Sequence, residues 1–157
     1  MTETLIVSAD SEALVSQARE LFLEYAKSLG FSLCFQDFDK EIANLPGYYA
    51  PPEGRLLLAQ YQGGWAGCVG LRKLQGETCE MKRLYVRPQF RGQHIGEVLA
   101  NKVIAEARLQ GYRRMRLDTV APVMKNAVGL YRQLGFYEIP PCTHNPQPGV
   151  LYMEMEL

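Results

Sequence analysis

Apolar residues near the N-terminus recur every three or four positions, which is the spacing of one helix face. The pattern predicts a helix that ends at Gly30 and has this apolar face: Leu14, Ala18, Leu21, Phe22, Tyr25 and Leu29. Asp10 or Ser11 can cap the start of this helix, after a short apolar strand over residues 4–7. A shorter helix is predicted over residues 37–45, before a loop rich in proline and glycine over residues 46–52.

The middle of the chain has short apolar runs separated by turn residues, which is typical of strands. Runs over residues 55–61 and 65–71 flank Gln62-Gly63-Gly64 and predict a hairpin, and residues 79–86 follow as a third antiparallel strand. The remaining pattern predicts, in order, a helix over 95–110, a strand over 115–120, a helix over 126–134 and strands over 136–139 and 150–157. This order predicts an α/β fold with a mixed, mostly antiparallel sheet, flanked by helices and containing one parallel crossover.

Composition narrows the class of protein. With 157 residues, 47% hydrophobic and 22% charged, the chain fits one domain over residues 1–157. A net charge of zero gives the whole molecule no reason to accumulate on nucleic acid or on anionic lipid, and no apolar run reaches membrane-spanning length. The four cysteines form no C-x-x-C pair and no secretory leader precedes them, so we expect free thiols and a cytoplasmic location: Cys34, Cys68, Cys79 and Cys142.

The local charge balance differs from the total. Residues 82–116 contain nine Lys or Arg and two Glu, whereas the whole chain is neutral. Residues 81–97, which overlap the start of this segment, are predicted to form a strand, a basic turn and a helix start at Ile95. Unpaired N–H groups at the helix start, with Arg87 and Arg91 beside them, predict a site for a phosphate-bearing ligand. The alternative is a set of basic residues on a solvated face.

Two motifs and the order of elements resemble the GCN5-related N-acetyltransferase (GNAT) family. The first motif is L-Y-V-R-P-Q-F-R-G-Q-H-I-G, at residues 84–96, and the second is N-A-V-G-L-Y-R-Q-L-G-F, at residues 126–136. The resemblance implies an acyl-CoA N-acyltransferase fold in which two central parallel strands splay apart. It also implies transfer of acetyl from acetyl-CoA to an amine by direct attack, without a metal.

The resemblance assigns the parts of coenzyme A to particular residues. The pantetheine arm is expected to pair with the backbone of Leu84, Tyr85 and Val86, whereas Asn126 either binds that arm or caps its helix. The pyrophosphate is expected on the backbone N–H groups of Arg91, Gly92, Gln93, His94, Ile95, Gly96 and Glu97. His94 replaces a glycine of the family motif. Because it is expected in the first helical turn, where no positive φ is needed, we expect the change to be tolerated.

Two residues are candidates for proton transfer. Glu80 lies four residues before Leu84, so an unbroken strand would put both side chains on one face, where Glu80 could act as the general base. The alternative is an ion pair between Glu80 and Lys82 or Arg83. Tyr131 stands where the family places the acid that protonates the leaving thiolate, although it also fits an apolar helix face as a core residue.

The acceptor and the partners are less defined. We expect a small-molecule or amino-acid-like amine, with the side chains of His144 and Asn145, together with Tyr48 and Tyr49, lining its side of the site. The sparse Cys142-x-His144 pattern does not predict a metal site. Neither a nucleic acid nor a membrane is expected as partner, and a homodimer is left open. The alternative function is a non-catalytic acyl-CoA-binding or interaction module on the same fold.

Overall fold

The computed structural model describes residues 3–33, 37–122 and 124–157, which form a mixed sheet with helices on both faces. The helices are α1 (Glu12–Ser28), α2 (Phe38–Ala43), α3 (Ile95–Leu109) and α4 (Lys125–Leu134). The strands are β1 (Thr4–Ser8), β2 (Arg55–Tyr61), β3 (Gly64–Gln75), β4 (Thr78–Val86), β5 (Arg114–Val120), β6 (Tyr137–Ile139) and β7 (Val150–Glu156). Among the helices described, none combines the length and the apolar character needed to cross a membrane.

The sheet has seven strands within the described residues, in the order β1-β2-β3-β4-β5-β7-β6. Neighbouring strands are antiparallel except for β4 and β5, which are parallel and are joined by α3. The predicted α/β class, the hairpin of β2 and β3 and the single parallel crossover are therefore confirmed. The predicted helix over residues 37–45 is shorter, and the loop after it contains a 3₁₀ turn at Gly47–Tyr49.

Each face of the sheet carries its own hydrophobic core. Leu57, Met81 and Met115 pack with α3 on one face, whereas Leu58 and Tyr85 pack with α1 and α2 on the other. The N-terminus of α1 is capped by Ser11, whose Oγ accepts a hydrogen bond from Leu14 N at 3.2 Å. This cap confirms one of the two predicted residues. The core packing then holds α1 beside β4 and α3 across the β4–β5 junction.

The parallel strands β4 and β5 remain paired over only part of their length. Thr78, Cys79 and Glu80 pair with Arg114, Met115 and Arg116, and the pairing stops there. Beyond this point β4 continues to Val86 and β5 to Val120, each with one edge free of the other strand. The gap that the family resemblance implied between these two strands is therefore present.

A bulge at Arg83 interrupts the alternation of side chains along β4. Arg83 has a φ of 60°, and the pairing of β4 with β3 shifts by one residue across this position. Met81 and Leu84 consequently both pack toward α3, although they are three residues apart. Glu80 alternates with Met81 and faces α1 and α2. The expectation that Glu80 and Leu84 share a face is therefore wrong, because it assumed an unbroken strand.

Candidate active site

A cleft with a volume of about 1010 Å³ lies at the gap between β4 and β5. Its walls come from the end of β4, the start of α3, the end of β5 and the start and middle of α4. The structure brings most of the sequence-predicted site residues into this lining: Leu84, Tyr85, Val86, Arg91, Gly92, His94, Ile95, Gly96, Glu97, Asn126 and Tyr131. Glu80 and Gln93 are outside it, and the Gln93 amide accepts a hydrogen bond from the Tyr61 hydroxyl at 3.1 Å.

The β4 wall presents backbone hydrogen-bonding groups to the cleft. Arg87 N donates to Ala66 O at 2.8 Å, so the peptide groups of Arg87 and, by alternation, Tyr85 face β3. The peptide groups of Leu84 and Val86 then face the gap. Val86 O accepts a hydrogen bond from Arg91 Nε at 3.1 Å, which is consistent with this direction. An extended ligand with amide groups can therefore pair with this edge as an additional strand.

The start of α3 differs from the sequence-based expectation at His94. This residue is the N-cap and has a φ of 62°, in the left-handed region that favours glycine. The reasoning that its position requires no positive φ was therefore wrong, because the helix begins one residue later, at Ile95. The imidazole is 82% exposed, and its Nδ1 lies 3.6 Å from Glu97 Oε2. His94 therefore lines the cleft with an imidazole that is mostly in solvent.

Not all of the N–H groups expected to bind phosphate are available. Arg91 N already donates to Pro88 O at 3.3 Å. The N–H groups of Ile95, Gly96 and Glu97 precede the first complete turn of α3 and have no helical acceptor. A Cβ built on Gly96 would lie 3.7 Å from Val86 Cγ2, an ordinary contact, so packing within the protein does not require glycine at this position.

Most basic residues of the segment over residues 82–116 form ion pairs, and nearly all of their acidic partners lie elsewhere in the chain. Arg87, expected beside the phosphate, instead pairs with Glu24 at 2.7 Å and Glu20 at 3.5 Å on α1. Other basic residues of the segment form ion pairs as follows: Arg83 with Glu41, Lys102 with Glu106, Arg113 with Glu77, Arg114 with Glu156 and Arg116 with Glu154. Arg91 is the basic residue of the predicted turn that lines the cleft.

Tyr131 is a core residue that also lines the cleft. Its ring packs edge-on against Phe136 with centroids 5.7 Å apart, and the residue is 7% exposed within the α3-side core. Its side chain also lines the cleft, and its hydroxyl has no hydrogen-bond partner in the described part of the chain. Burial, followed by the charges of Tyr25 and Asp118, raises the pKa of Tyr131 well above its usual value. The phenol therefore stays protonated and can act as a donor.

Glu80 is tied into an ion pair away from the cleft. Its Oε1 lies 2.7 Å from Arg72 Nε on β3 and 3.9 Å from Lys82 Nζ, and its side chain is 7% exposed. The predicted alternative named Lys82 or Arg83, but the shorter contact is with Arg72. Sequence reasoning missed this partner because Arg72 faces Glu80 across the antiparallel pair of β3 and β4.

The sequence analysis did not single out Asp118, which lines the cleft from β5. Its Oδ2 accepts a hydrogen bond from Asn145 Nδ2 at 3.0 Å, so the predicted acceptor-side residue Asn145 does reach the cleft. The alternation of Met115 and Leu117 with Arg116 and Asp118 could have indicated a polar strand face.

Other predicted acceptor-side residues have different surroundings. Tyr49 is fully buried, Tyr48 is 45% exposed, and both hydroxyls donate to Glu41; His144 is exposed and lies outside the cleft lining. Asn126 is exposed and lines the cleft. Met124 is the N-cap of α4, so the capping alternative for Asn126 is wrong.

The cysteines that the structure describes are free thiols. Cys68 and Cys79 are buried free thiols and Cys142 is an exposed one, while Cys34 is outside the described residues. Within residues 3–33, 37–122 and 124–157, no group of three or more His, Cys, Asp or Glu side chains is placed to hold a metal ion.

Comparisons with known proteins place the chain in a family. An uncharacterized N-acetyltransferase of Schizosaccharomyces pombe is 42% identical over 139 residues, which are 87% of this chain and 85% of the relative. The N-acetylaspartate synthetase of Danio rerio is 33% identical over 116 residues, 68% of this chain and 41% of the synthetase. A GNAT-family acetyltransferase crystal structure from Staphylococcus aureus Mu50 superposes with a TM-score of 0.81 at 21% identity, covering 98% of this chain and 99% of that one. Residues 15–136 match the acetyltransferase (GNAT) family model, and this chain belongs to that family of acyltransferases.

Proposed function

We propose that this protein is an N-acetyltransferase that moves acetyl from acetyl-CoA to a primary amine of a small molecule, within one domain over residues 1–157. The observation that carries the proposal is the meeting, in one cleft, of the open β4 edge at Leu84 and Val86 with the Tyr131 hydroxyl. Family membership supports acyl transfer in general. The N-acetylaspartate product in the name of the Danio rerio relative supports an amine acceptor.

The chain fits coenzyme A at several places along the cleft. The peptide groups of Leu84 and Val86 that face the gap would pair with the two amides of the pantetheine arm. The N–H groups at the start of α3 would hold the pyrophosphate, and the missing side chain at Gly96 leaves space for it to approach. Asn126, exposed at the cleft and free of a capping role, would donate to the arm from the α4 side.

The proposed chemistry uses the protonated state of Tyr131. Acetyl-CoA supplies an acetyl thioester, whose thiol leaves when an amine takes the acetyl group. The thiol of coenzyme A has a pKa near 8.5, so the sulfur can accept a proton as the C–S bond breaks. A proton or a strong hydrogen bond on the sulfur therefore favours departure of the thiol. Tyr131 holds such a proton within the cleft, because a phenol with an ordinary pKa near 10 is protonated at neutral pH and burial raises that pKa further. The Leu84 peptide N–H, facing the same gap, would polarise the acetyl carbonyl.

A thiol-release assay with a panel of amines tests this proposal. The Tyr131→Phe variant should lower kcat/KM by about 10²–10⁴-fold while leaving the Kd for acetyl-CoA nearly unchanged, because it removes one hydroxyl and keeps the packed ring. Tyr137→Phe is the matched control, since Tyr137 is 42% exposed and lies outside the cleft.

Two results would contradict parts of the proposal. Equal turnover by wild type and Tyr131→Phe at every pH would remove the acid role. Tight acetyl-CoA binding by calorimetry with no transfer to any amine would favour the non-catalytic module instead. The cytoplasmic location and the homodimer stay predictions from the sequence.

A further inference from the structure

We infer that Asp118 binds the acceptor amine and takes the proton that its nitrogen loses as the new C–N bond forms. The inference deepens the proposed acetyl transfer and rests on it. It assigns the general base to β5 rather than to Glu80 on β4. The acceptor class that fits is a primary amine small enough to enter between α1 and the β4–β5 gap.

The position of Asp118 follows from the geometry of β5. Arg116 is the last β5 residue that pairs with β4, and Asp118 is two residues further, where the gap has opened. Met115 and Leu117 pack in the core with α3, so alternation places Asp118 on the opposite face of the sheet. The carboxylate is half-buried and lines the cleft from that face.

Asp118 and Tyr131 therefore border the gap from opposite faces of the sheet. Tyr131 belongs to the core on the α3 face, whereas Asp118 lies on the face covered by α1. A reacting group held in the gap would have a phenol on one side and a carboxylate on the other. Direct attack gives a tetrahedral intermediate in which the nitrogen and the sulfur are separate substituents of one carbon, so a carboxylate near the nitrogen and a phenol near the sulfur can act on each of them.

The Asp118 carboxylate is oriented by a side-chain hydrogen bond. Its Oδ2 accepts from Asn145 Nδ2 at 3.0 Å, and Asp118 forms no ion pair within 4.0 Å with a Lys, Arg or His that the structure describes. The charge of Asp118 acts on titratable groups of four different elements: Tyr25 of α1, Lys82 of β4, Tyr131 of α4 and Cys142 of the loop before β7. Glu80, in contrast, would have to give up its 2.7 Å contact with Arg72 to accept a proton.

The proton and electron transfers balance in the following way. The lone pair of the neutral amine nitrogen forms the C–N bond, and the C–S bond breaks with its electron pair remaining on sulfur. Tyr131 gives a proton to the sulfur while Asp118 takes one from the nitrogen. Exchange with water restores both side chains, so that one proton has passed in total from nitrogen to sulfur.

The test compares Asp118→Asn with Asp39→Asn, a matched change of an exposed carboxylate on α2 outside the cleft. Asp118→Asn keeps an oxygen that can accept from Asn145, so we expect unchanged thermal stability and an unchanged Kd for acetyl-CoA. We expect kcat/KM for an established amine to fall by about 10²–10⁴-fold, as for loss of a general base. Asp39→Asn should behave as wild type.

Chemical rescue separates a base from a structural residue. Adding formate to Asp118→Ala should restore at least tenfold of the lost turnover, because a small carboxylate can occupy the vacated space, whereas formate should not change the Asp39→Asn variant. The conservative Asp118→Glu change should retain more activity than Asp118→Asn.

The inference is overturned if Asp118→Asn keeps kcat/KM within threefold of wild type. It is also overturned if its loss of turnover matches a loss of folded protein or of acetyl-CoA binding, or if formate rescues nothing. Each of these results leaves amine acetylation by the wild type intact. If the wild type binds acetyl-CoA but transfers acetyl to no amine, the proposed function fails and this assignment fails with it.

Discussion

Removing the buried charge of Glu41 should destabilise the protein strongly. Arg83 Nε and Nη2 donate to the Glu41 carboxylate at 2.9 and 2.8 Å, and the Tyr48 and Tyr49 hydroxyls donate to it at 2.8 and 2.9 Å. The side chains of Arg83 and Glu41 are 2% and 1% exposed. The Glu41→Gln change keeps the shape of the side chain but removes the negative charge that the buried guanidinium of Arg83 contacts.

The expected loss is about 3–5 kcal/mol, as for other buried ion pairs from which one partner is removed. That is a large part of the roughly 5–15 kcal/mol that stabilises a typical domain. The pair also offsets the left-handed φ of 60° at Arg83, a conformation that costs about 1–2 kcal/mol for a residue other than glycine. Loss of the pair should therefore also loosen the bulge that redirects β4 beside the cleft.

Urea denaturation followed by fluorescence would measure the change. Glu53→Gln is the control, because its 3.2 Å ion pair with Lys73 joins side chains that are 60% and 45% exposed and should contribute less than about 1 kcal/mol. The double variant Glu41→Gln/Arg83→Gln should lose less than the sum of its two single variants. A loss below about 1 kcal/mol for Glu41→Gln would refute the reasoning.

The same pair gives stability a dependence on pH. Burial raises the pKa of Glu41, but the hydrogen bonds and charge of Arg83 outweigh burial and bring that pKa below its usual 4.5. Because the folded pKa is the lower one, the ionised form stabilises the protein above about pH 4.5, and this contribution is lost as pH falls through the folded value. Wild type should lose stability over this range, and Glu41→Gln should lose less of it.

Three further variants probe the cleft. His94→Gly should raise the free energy of unfolding by up to about 1 kcal/mol, because glycine adopts the φ of 62° without strain. The variant should keep the Kd for acetyl-CoA, measured by calorimetry, within tenfold of wild type. A larger loss of affinity would show that the imidazole binds the ligand. Gly96→Ala should fold as well as wild type, because the added methyl group makes ordinary contacts within the protein. The same variant should weaken acetyl-CoA binding at least tenfold. Unchanged affinity would place the pyrophosphate elsewhere. Lys82 is a cation that lines the cleft near Asp118 and could bind a carboxylate of the acceptor. Lys82→Met should therefore reduce kcat/KM more for an amino acid than for the corresponding decarboxylated amine. Equal reductions would show that Lys82 does not select a carboxylate.

The local parts of the fold could be predicted from the sequence, whereas the long-range parts could not. The helix of residues 12–28 and the β2–β3 hairpin follow from periodicity and turn residues within short windows. The bulge at Arg83 depends on Glu41, which is 42 residues away in sequence. No local pattern indicates a left-handed arginine inside a strand.

The candidate site divides in the same way. The motif residues of the β4–α3 turn and Tyr131 could be assigned to one cleft because two short motifs resemble those of the GNAT family. The partners of Arg87 and Glu80 could not, because Glu24 is 63 residues from Arg87, and Arg72 meets Glu80 only through strand pairing. These partners decide which charges remain to act on a ligand. Asp118 reaches the cleft because it lies on β5 beyond the last residue that pairs with β4.

The short β4–β5 junction divides the sheet into two half-sheets, β1–β4 and β5–β7, held together by three residue pairs and the core beneath α3. A ligand in the cleft would contact Leu84 and Val86 on one half-sheet and Tyr131 beside the other, and would act as a brace between them. At a concentration of 100 times its Kd, such a ligand should add about 2.7 kcal/mol to the free energy of unfolding. Thermal melting with candidate acyl-CoA molecules would then rank them by how much each one stabilises the folded protein, before any acceptor is known.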